Sequence, residues 1–309
     1  MSVRIIVDTG ADMRDEILDQ VQIMPLIVRF GDRELTGCGP ADKRAFYELL
    51  LSSETLPTTS QATPDMFARA FEEARRAGDE VVAITISSGL SGTYQSACLA
   101  AAEFDNVFVV DSLTATVGEG ALAEYAAVCR AQGMTAAEIA ARLTERRGDI
   151  HVVALLDTLK YLERGGRISK AAAIAGGLLN LKPVIAIESG VVVPLGRARG
   201  SRQGNNLLCE KIRLSGGVDF SMPLLLGYTG LEIAPTRIFP QAPYDCLNGA
   251  ALFAGVMYQK YGFVIPSMQS IWYGQSGSIF DVADAARLEE YTKEAYQFAR
   301  ACRCGSLVF

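Results

Sequence analysis

A chain of 309 residues, 50% hydrophobic and 21% charged, is long enough for two ordinary domains and too apolar for wholesale disorder. Its 29 basic and 35 acidic side chains leave a formal charge of −6, and without a basic block the chain lacks the footprint of a nucleic-acid binder. The single histidine, His151, excludes histidine-rich metal sites and most histidine-based triads.

The first half alternates strand and helix patterns. Val3–Val7 reads as a short buried strand, followed by Asp8-Thr9-Gly10 and helical spacing over Asp12–Gln20. Ile23–Phe30 reads as one strand, and Asp42–Leu51 has helical spacing at Phe46, Leu49 and Leu50. Thr63 and Pro64 look like a cap and a first turn, and the helix they open would bury Phe67, Ala70, Phe71 and Ala74 before Gly78 ends it. Val81–Ile86 is a buried strand, Thr93–Ala102 a helix, Val107–Val110 a strand, and Val117–Ala131 and Thr135–Arg146 two more helices. Strands at this spacing predict a mostly parallel sheet covered on both faces, a three-layer α/β/α domain over residues 1–150.

The pattern changes near Gly148–His151. His151–Leu156 reads as a strand, Leu159–Gly166 as a short amphipathic piece and Ala171–Leu181 as a small-residue helix. Val184–Ile187 and Val191–Leu195 flank Glu188-Ser189-Gly190 as a hairpin. A second, α+β domain is expected over residues 151–309, with a ligand cleft between the two.

Seven scattered cysteines without a C-x-x-C pair read as reduced thiols of a cytoplasmic protein, and the lone Cys302-x-Cys304 pair has no second ligand pair. The start has no signal-peptide pattern, and no uninterrupted apolar run is long enough to span a membrane. No P-loop or G-x-S-x-G elbow occurs. Gly118-Glu119-Gly120 matches a dinucleotide fingerprint only in spacing, because no strand immediately precedes it.

The most informative run is Ser87-Ser88-Gly89-Leu90-Ser91-Gly92-Thr93-Tyr94-Gln95-Ser96-Ala97, where a buried strand gives way to a helix within about six residues. Helix-start amides, glycines that admit close approach and serine hydroxyls suit a carboxylate or phosphate; a capped helix after a tight turn would need the same residues. Thr58-Thr59-Ser60-Gln61 is a second hydroxyl cluster, richer than the cap that Thr63 alone supplies. Asp8 and Asp111 end strands on the same sheet edge and are expected to cap the helices that follow or to line a cleft. Arg167 and Arg199 stand beside glycines as surface cations or anion contacts. A Ser91 or Ser88 hydrolase with His151 as base is the enzymatic alternative.

Read together, Asp8-Thr9-Gly10-Ala11-Asp12, Thr59-Ser60-Gln61, the Ser87–Ala97 run, Asp111-Ser112, Thr158-Leu159-Lys160-Tyr161-Leu162, Gly165-Gly166-Arg167-Ile168-Ser169, Leu181-Lys182-Pro183 and Arg199-Gly200 resemble the DegV family over roughly residues 4–200. The resemblance implies a non-catalytic carrier of a long-chain fatty acid, with no cofactor, that in several cases presents the acid to a fatty acid kinase. It implies that Thr59 and Ser91 bind the carboxylate, with Ser60 and Gly92 beside them. It also implies that Arg167 and Arg199 meet the kinase or an acyl phosphate. The acyl tail would need an apolar tunnel, for which Ala171–Leu181 is the candidate lining. The family's late G-T-H-x-G-P-G motif is absent, and Gln275 in Trp272-Tyr273-Gly274-Gln275 stands nearest to where its histidine would fall. A carrier of another small anion remains the non-lipid alternative.

Overall fold

The computed structural model describes residues 2–13, 15–36, 40–53, 55–170, 181–217, 225–227, 269–272 and 275–278. They fall into two units. The first holds Met1–Ile150 together with Ile187–Val191 and Tyr273–Gln275, and the second holds the rest.

Unit 1 is built on a parallel sheet in the order β2-β1-β6-β7, formed by β1 (Val3–Asp8), β2 (Gln22–Met24), β6 (Glu80–Thr85) and β7 (Val107–Asp111). Its strands are apolar on both faces, as a sheet covered twice requires. Ile5, Val7, Val82, Ile84 and Val110 pack under α5 (Val117–Ala131) and α6 (Ala136–Arg146), with α1 (Asp15–Leu18) alongside. Ile6, Val81 and Ala83 face α3 (Pro64–Ala77) and α4 (Thr93–Ala101) through Phe67, Phe71 and Ala97. Alternation along each strand thus divides the apolar residues between two cores.

The helix signals operate as chemistry. The Thr63 hydroxyl accepts from the Met66 amide, Pro64 occupies the first turn, and Gly78 closes α3 at φ 75°. Phe67, Ala70, Phe71 and Ala74 are its buried face. Thr135 and Glu138 form a reciprocal capping box at the start of α6.

The expected single strand over Ile23–Phe30 is in fact two. β2 ends at Met24 and β3 (Ile27–Phe30) joins a separate antiparallel sheet with β4 (Arg33–Leu35) and β5 (Thr58–Ser60), in the order β4-β3-β5. Pro25 lies between them; without an N–H it cannot continue the ladder. The helix expected over Asp12–Gln20 is a single turn, Asp15–Leu18. The stretch α2 (Pro40–Ser52) follows β4.

β8 (Val152–Leu155), β9 (Leu181–Glu188) and β10 (Val191–Arg199), which belong to unit 2 apart from Ile187–Val191, form a sheet in the order β10-β9-β8. Ala154, Leu159, Ile168 and Ile185 make a small core beside α7 (Lys160–Arg164). α8 (Gly200–Leu214) presses on β8 so closely that a Cβ at Gly204 would lie 2.4 Å from Leu155. β11 (Leu225–Gly227), β12 (Gln269–Trp272) and β13 (Gln275–Ser278) form a further three-stranded sheet, with β11 and β12 parallel. The proposed tunnel segment lies outside the described residues except for Leu181, which opens β9. Among the described residues Cys98, Cys129 and Cys209 carry no disulfide, and no helix is long and apolar enough to cross a membrane.

Phe71 is fully buried, its ring tilted against Phe67 and edge-to-face with Phe104. Phe71→Ala should lower the unfolding free energy by about 3–5 kcal/mol in urea titrations. A loss below about 1 kcal/mol would show that this face of the sheet is not held by α3.

Candidate functional site

In the parallel sheet the chain runs outward from β1 to β2 on one side and from β6 to β7 on the other. The carboxyl ends of β1 and β6 therefore flank a topological switch point, where open α/β sheets leave a crevice. The Ser87–Gly92 bend leaves β6 at this place, and Asp8 ends β1 beside it.

The bend satisfies its own backbone first. Ile86 N–H donates to Asp8 Oδ2 at 2.8 Å, and Ser88 N–H donates to Asp111 Oδ1 at 3.1 Å. Ser87 N–H goes to the Thr114 carbonyl, Gly89 N–H to the Ser87 hydroxyl, and the Leu90 and Ser91 amides to the Ser87 carbonyl. Every amide from Ile86 to Ser91 is thus spent inside the protein, so from this stretch a ligand meets side-chain hydroxyls rather than main-chain N–H groups. The Ser91 hydroxyl shares a 2.9 Å hydrogen bond with that of Thr93 and accepts from the Thr93 amide at 3.3 Å. Ser88 and Ser91 are half-buried.

Of the two roles expected for them, capping a helix or lining a cleft, Asp8 and Asp111 do not fill the first. Asp8 takes the amides of Gly10 (2.7 Å) and Ile86, while Asp111 takes those of Ser88 and Leu113 (3.1 Å). The reason is geometric. α1 begins only at Asp15, and the residue before α5 is Thr116, so neither carboxylate sits at a helix start. Both reach sideways across strand ends, which residue order alone does not reveal.

The two hydroxyl clusters of the sequence meet in space. Gln61 follows β5, and its side-chain amide donates to the Ser96 hydroxyl at 2.8 Å on α4. A Cβ at Gly92 would fall 2.0 Å from Gln61 Oε1, so glycine is what lets this side chain lie against the helix start. Thr59 and Ser60 are exposed on β5, where they pair with Val28 and Ile27. Gln61, rather than its hydroxyl neighbours, joins the clusters; the Thr-Ser-Gln run drew attention to it without showing its target.

One further wall comes from far along the chain. The Ser87 hydroxyl, fully buried, donates to the Gly190 carbonyl at 2.7 Å, across 103 positions of sequence. Ser189 and Gly190 have φ of 49° and 82°, the positive values that a two-residue hairpin turn requires. The hairpin was legible, but its docking on the bend was not.

Arg167 and Arg199 are exposed and belong to unit 2. Arg167 bonds back to the Gly165 carbonyl, and Arg199 precedes α8, its amide donating to Gln203 at 2.6 Å. Gln275 opens β13, and its side chain lies outside the described residues. His151 is exposed just before β8. The Gly118-Glu119-Gly120 triplet has a packing explanation: a Cβ at Gly120 would sit 2.0 Å from the Asp12 carbonyl.

The electrostatics behind the bend are acidic. Burial pushes the Asp8 carboxyl up from its ordinary 3.8 to about 6, against the opposing pull of the two amides. Glu119, fully buried and without a hydrogen-bond partner among the described residues, is raised well above the usual carboxylate range by burial first and then by Asp8, Asp12 and Asp111. Among the described residues no group of three or more His, Cys, Asp or Glu side chains could hold a metal ion.

Native Asp8 holds its proton more tightly than an aspartate of the unfolded chain. Between the two values the folded state carries more protons, so this group's contribution to stability falls as pH rises. The stability difference between wild type and Asp8→Asn should therefore move in the variant's favour by about 3 kcal/mol from about pH 3 to about pH 8, read by urea denaturation across pH. A difference independent of pH would contradict the buried-carboxylate assignment.

The family model described as "uncharacterised protein, DegV family" matches residues 2–233. A DegV domain-containing protein of Caldanaerobacter subterraneus is 31% identical over 223 residues, covering 71% of this chain and 79% of that one. A solved DegV family protein of Thermus thermophilus, described by its fatty acid binding, is 32% identical with a TM-score of 0.62, over 74% of this chain and 81% of its own. The Streptococcus pneumoniae fatty acid kinase B3 protein, solved loaded with linoleic acid, is 25% identical with a TM-score of 0.61, over 70% of this chain and 79% of its own. The fold agrees with theirs, a parallel sheet between helices with further small sheets, and the chain belongs to the DegV family.

Proposed function

We propose that this protein is a non-catalytic carrier of a long-chain fatty acid, with the carboxylate held at the Ser87–Gly92 bend. The observation that carries this reading is the hydrogen-bond account of the bend. Its amides from Ser87 to Ser91 are used internally, while the Ser91 hydroxyl, braced by Thr93, stands half-buried at the switch point of the sheet. A braced hydroxyl can donate to a carboxylate with little ordering cost. Thr59 and Ser60, on the strand that leads to Gln61, supply further donors. Arg167, Arg199 and Gln275 belong to the same proposal, the arginines as contacts for a fatty acid kinase or an acyl phosphate and Gln275 as a neutral hydrogen-bonding group.

The relatives support the ligand class. The Thermus protein is described by fatty acid binding and the Streptococcus protein was solved with linoleic acid. Burial of an acyl tail contributes about 0.8 kcal/mol per CH₂, so a long chain supplies on the order of 10 kcal/mol before ordering costs, far more than the head group. The bend then decides orientation and the tail decides affinity.

Purified protein should release a free long-chain fatty acid on gentle denaturation, read by mass spectrometry. Ser91→Ala combined with Thr59→Ala should abolish its retention while leaving the melting transition cooperative. Wild-type retention would reject these two residues as head-group ligands, and a covalent acyl adduct on Ser91 would establish the hydrolase instead.

A further inference from the structure

The Ile187–Val191 segment meets the bend through several independent contacts. The Ser87 hydroxyl donates to the Gly190 carbonyl at 2.7 Å and accepts from the Gly89 amide at 3.1 Å, so one buried side chain ties both backbones. A Cβ at Gly89 would lie 2.6 Å from the Gly190 carbonyl oxygen and 2.9 Å from Val191 Cγ1. A Cβ at Gly190 would lie 2.5 Å from Ser87 Oγ and 3.3 Å from Leu113 Cδ2. Two glycines therefore permit an approach that no other residue would allow. Ser189 and Leu113 hold positive φ values of 49° and 53° at the edges of the contact, backbone states that need surrounding structure to maintain them.

We propose that Ser87 is a positioning residue: it latches the Ser189–Gly190 turn against the bend, and this latch sets how fast a ligand held at Ser91 is released. The proposal rests on the head-group reading above. Ser87 touches no ligand in this account. It acts through Gly89 and Gly190, which fix the path of the bend between β6 and the Ser91 hydroxyl. Gln61, lying on Gly92, braces the other end of the same bend.

The test compares release rates of a fluorescent long-chain fatty acid from wild type, Ser87→Ala and Gly190→Ala, at a temperature where the ligand-free proteins are fully folded. Ser87→Ala removes the bond, and Gly190→Ala pushes the two backbones apart from the other side. Each should speed release about tenfold while association stays within about twofold, the size expected for one buried hydrogen bond. The effects should be less than multiplicative in the double variant, because loss of Ser87 Oγ relieves the clash met by the new Cβ. A purely structural role would lower the melting temperature and leave release unchanged, so a wild-type release rate in either folded variant overturns the latch. Ser91→Ala is measured in parallel. If it binds as wild type does, the head-group reading fails; if it loses ligand while Ser87→Ala releases normally, only the latch fails.

Discussion

A bend between a buried strand and a helix must satisfy its own amides before it can offer anything to a ligand. Here two of the six amides from Ile86 to Ser91 are taken by carboxylates from neighbouring strand ends, and the rest by Ser87 and the Thr114 carbonyl. Asp8 receives the Ile86 amide and Asp111 the Ser88 amide, on either side of Ser87. Burying them is costly, and the rise of the Asp8 carboxyl to about 6 records that cost. What results is a stretch of main chain whose amides from Ile86 to Ser91 are all satisfied within the protein. A head-group site at which most nearby main-chain amides are already satisfied leaves much of a ligand's affinity to its apolar part, which suits a molecule that is mostly hydrocarbon.

The parallel sheet places these pieces. β1, β6 and β7 must run side by side to bring Asp8, the bend and Asp111 to one edge. That order holds because the strands are apolar on both faces and each face is covered by its own helix pair. The small antiparallel sheet then delivers Gln61 to Gly92, and the Ser189–Gly190 turn reaches Ser87. Three stretches far apart in sequence meet at about six residues of main chain.

Much of unit 1 was legible because its signals are local. The Thr63-Pro64 start, the Phe67–Ala74 spacing and Gly78 define α3 within its own residues, and Thr135 with Glu138 does the same for α6. The break in Ile23–Phe30 was legible in principle from Pro25, but hydrophobic content outweighed it. The bend itself was recognisable from its glycines and serines. The roles of Asp8, Asp111 and Gly190 were not, because each depends on a partner from another strand or turn. From their own neighbours the two aspartates could cap a helix or line a cleft, whereas in the sheet each accepts a neighbouring strand end's amide.

The account stands on the contact between the bend and a lipid head group. A crystal structure of the protein with a long-chain fatty acid bound tests it most directly. The account predicts a carboxylate oxygen within about 3 Å of Ser91 Oγ, with the hydrocarbon leading away from the bend. A fatty acid whose carboxylate lies elsewhere, with Ser91 still turned only to Thr93, would contradict it.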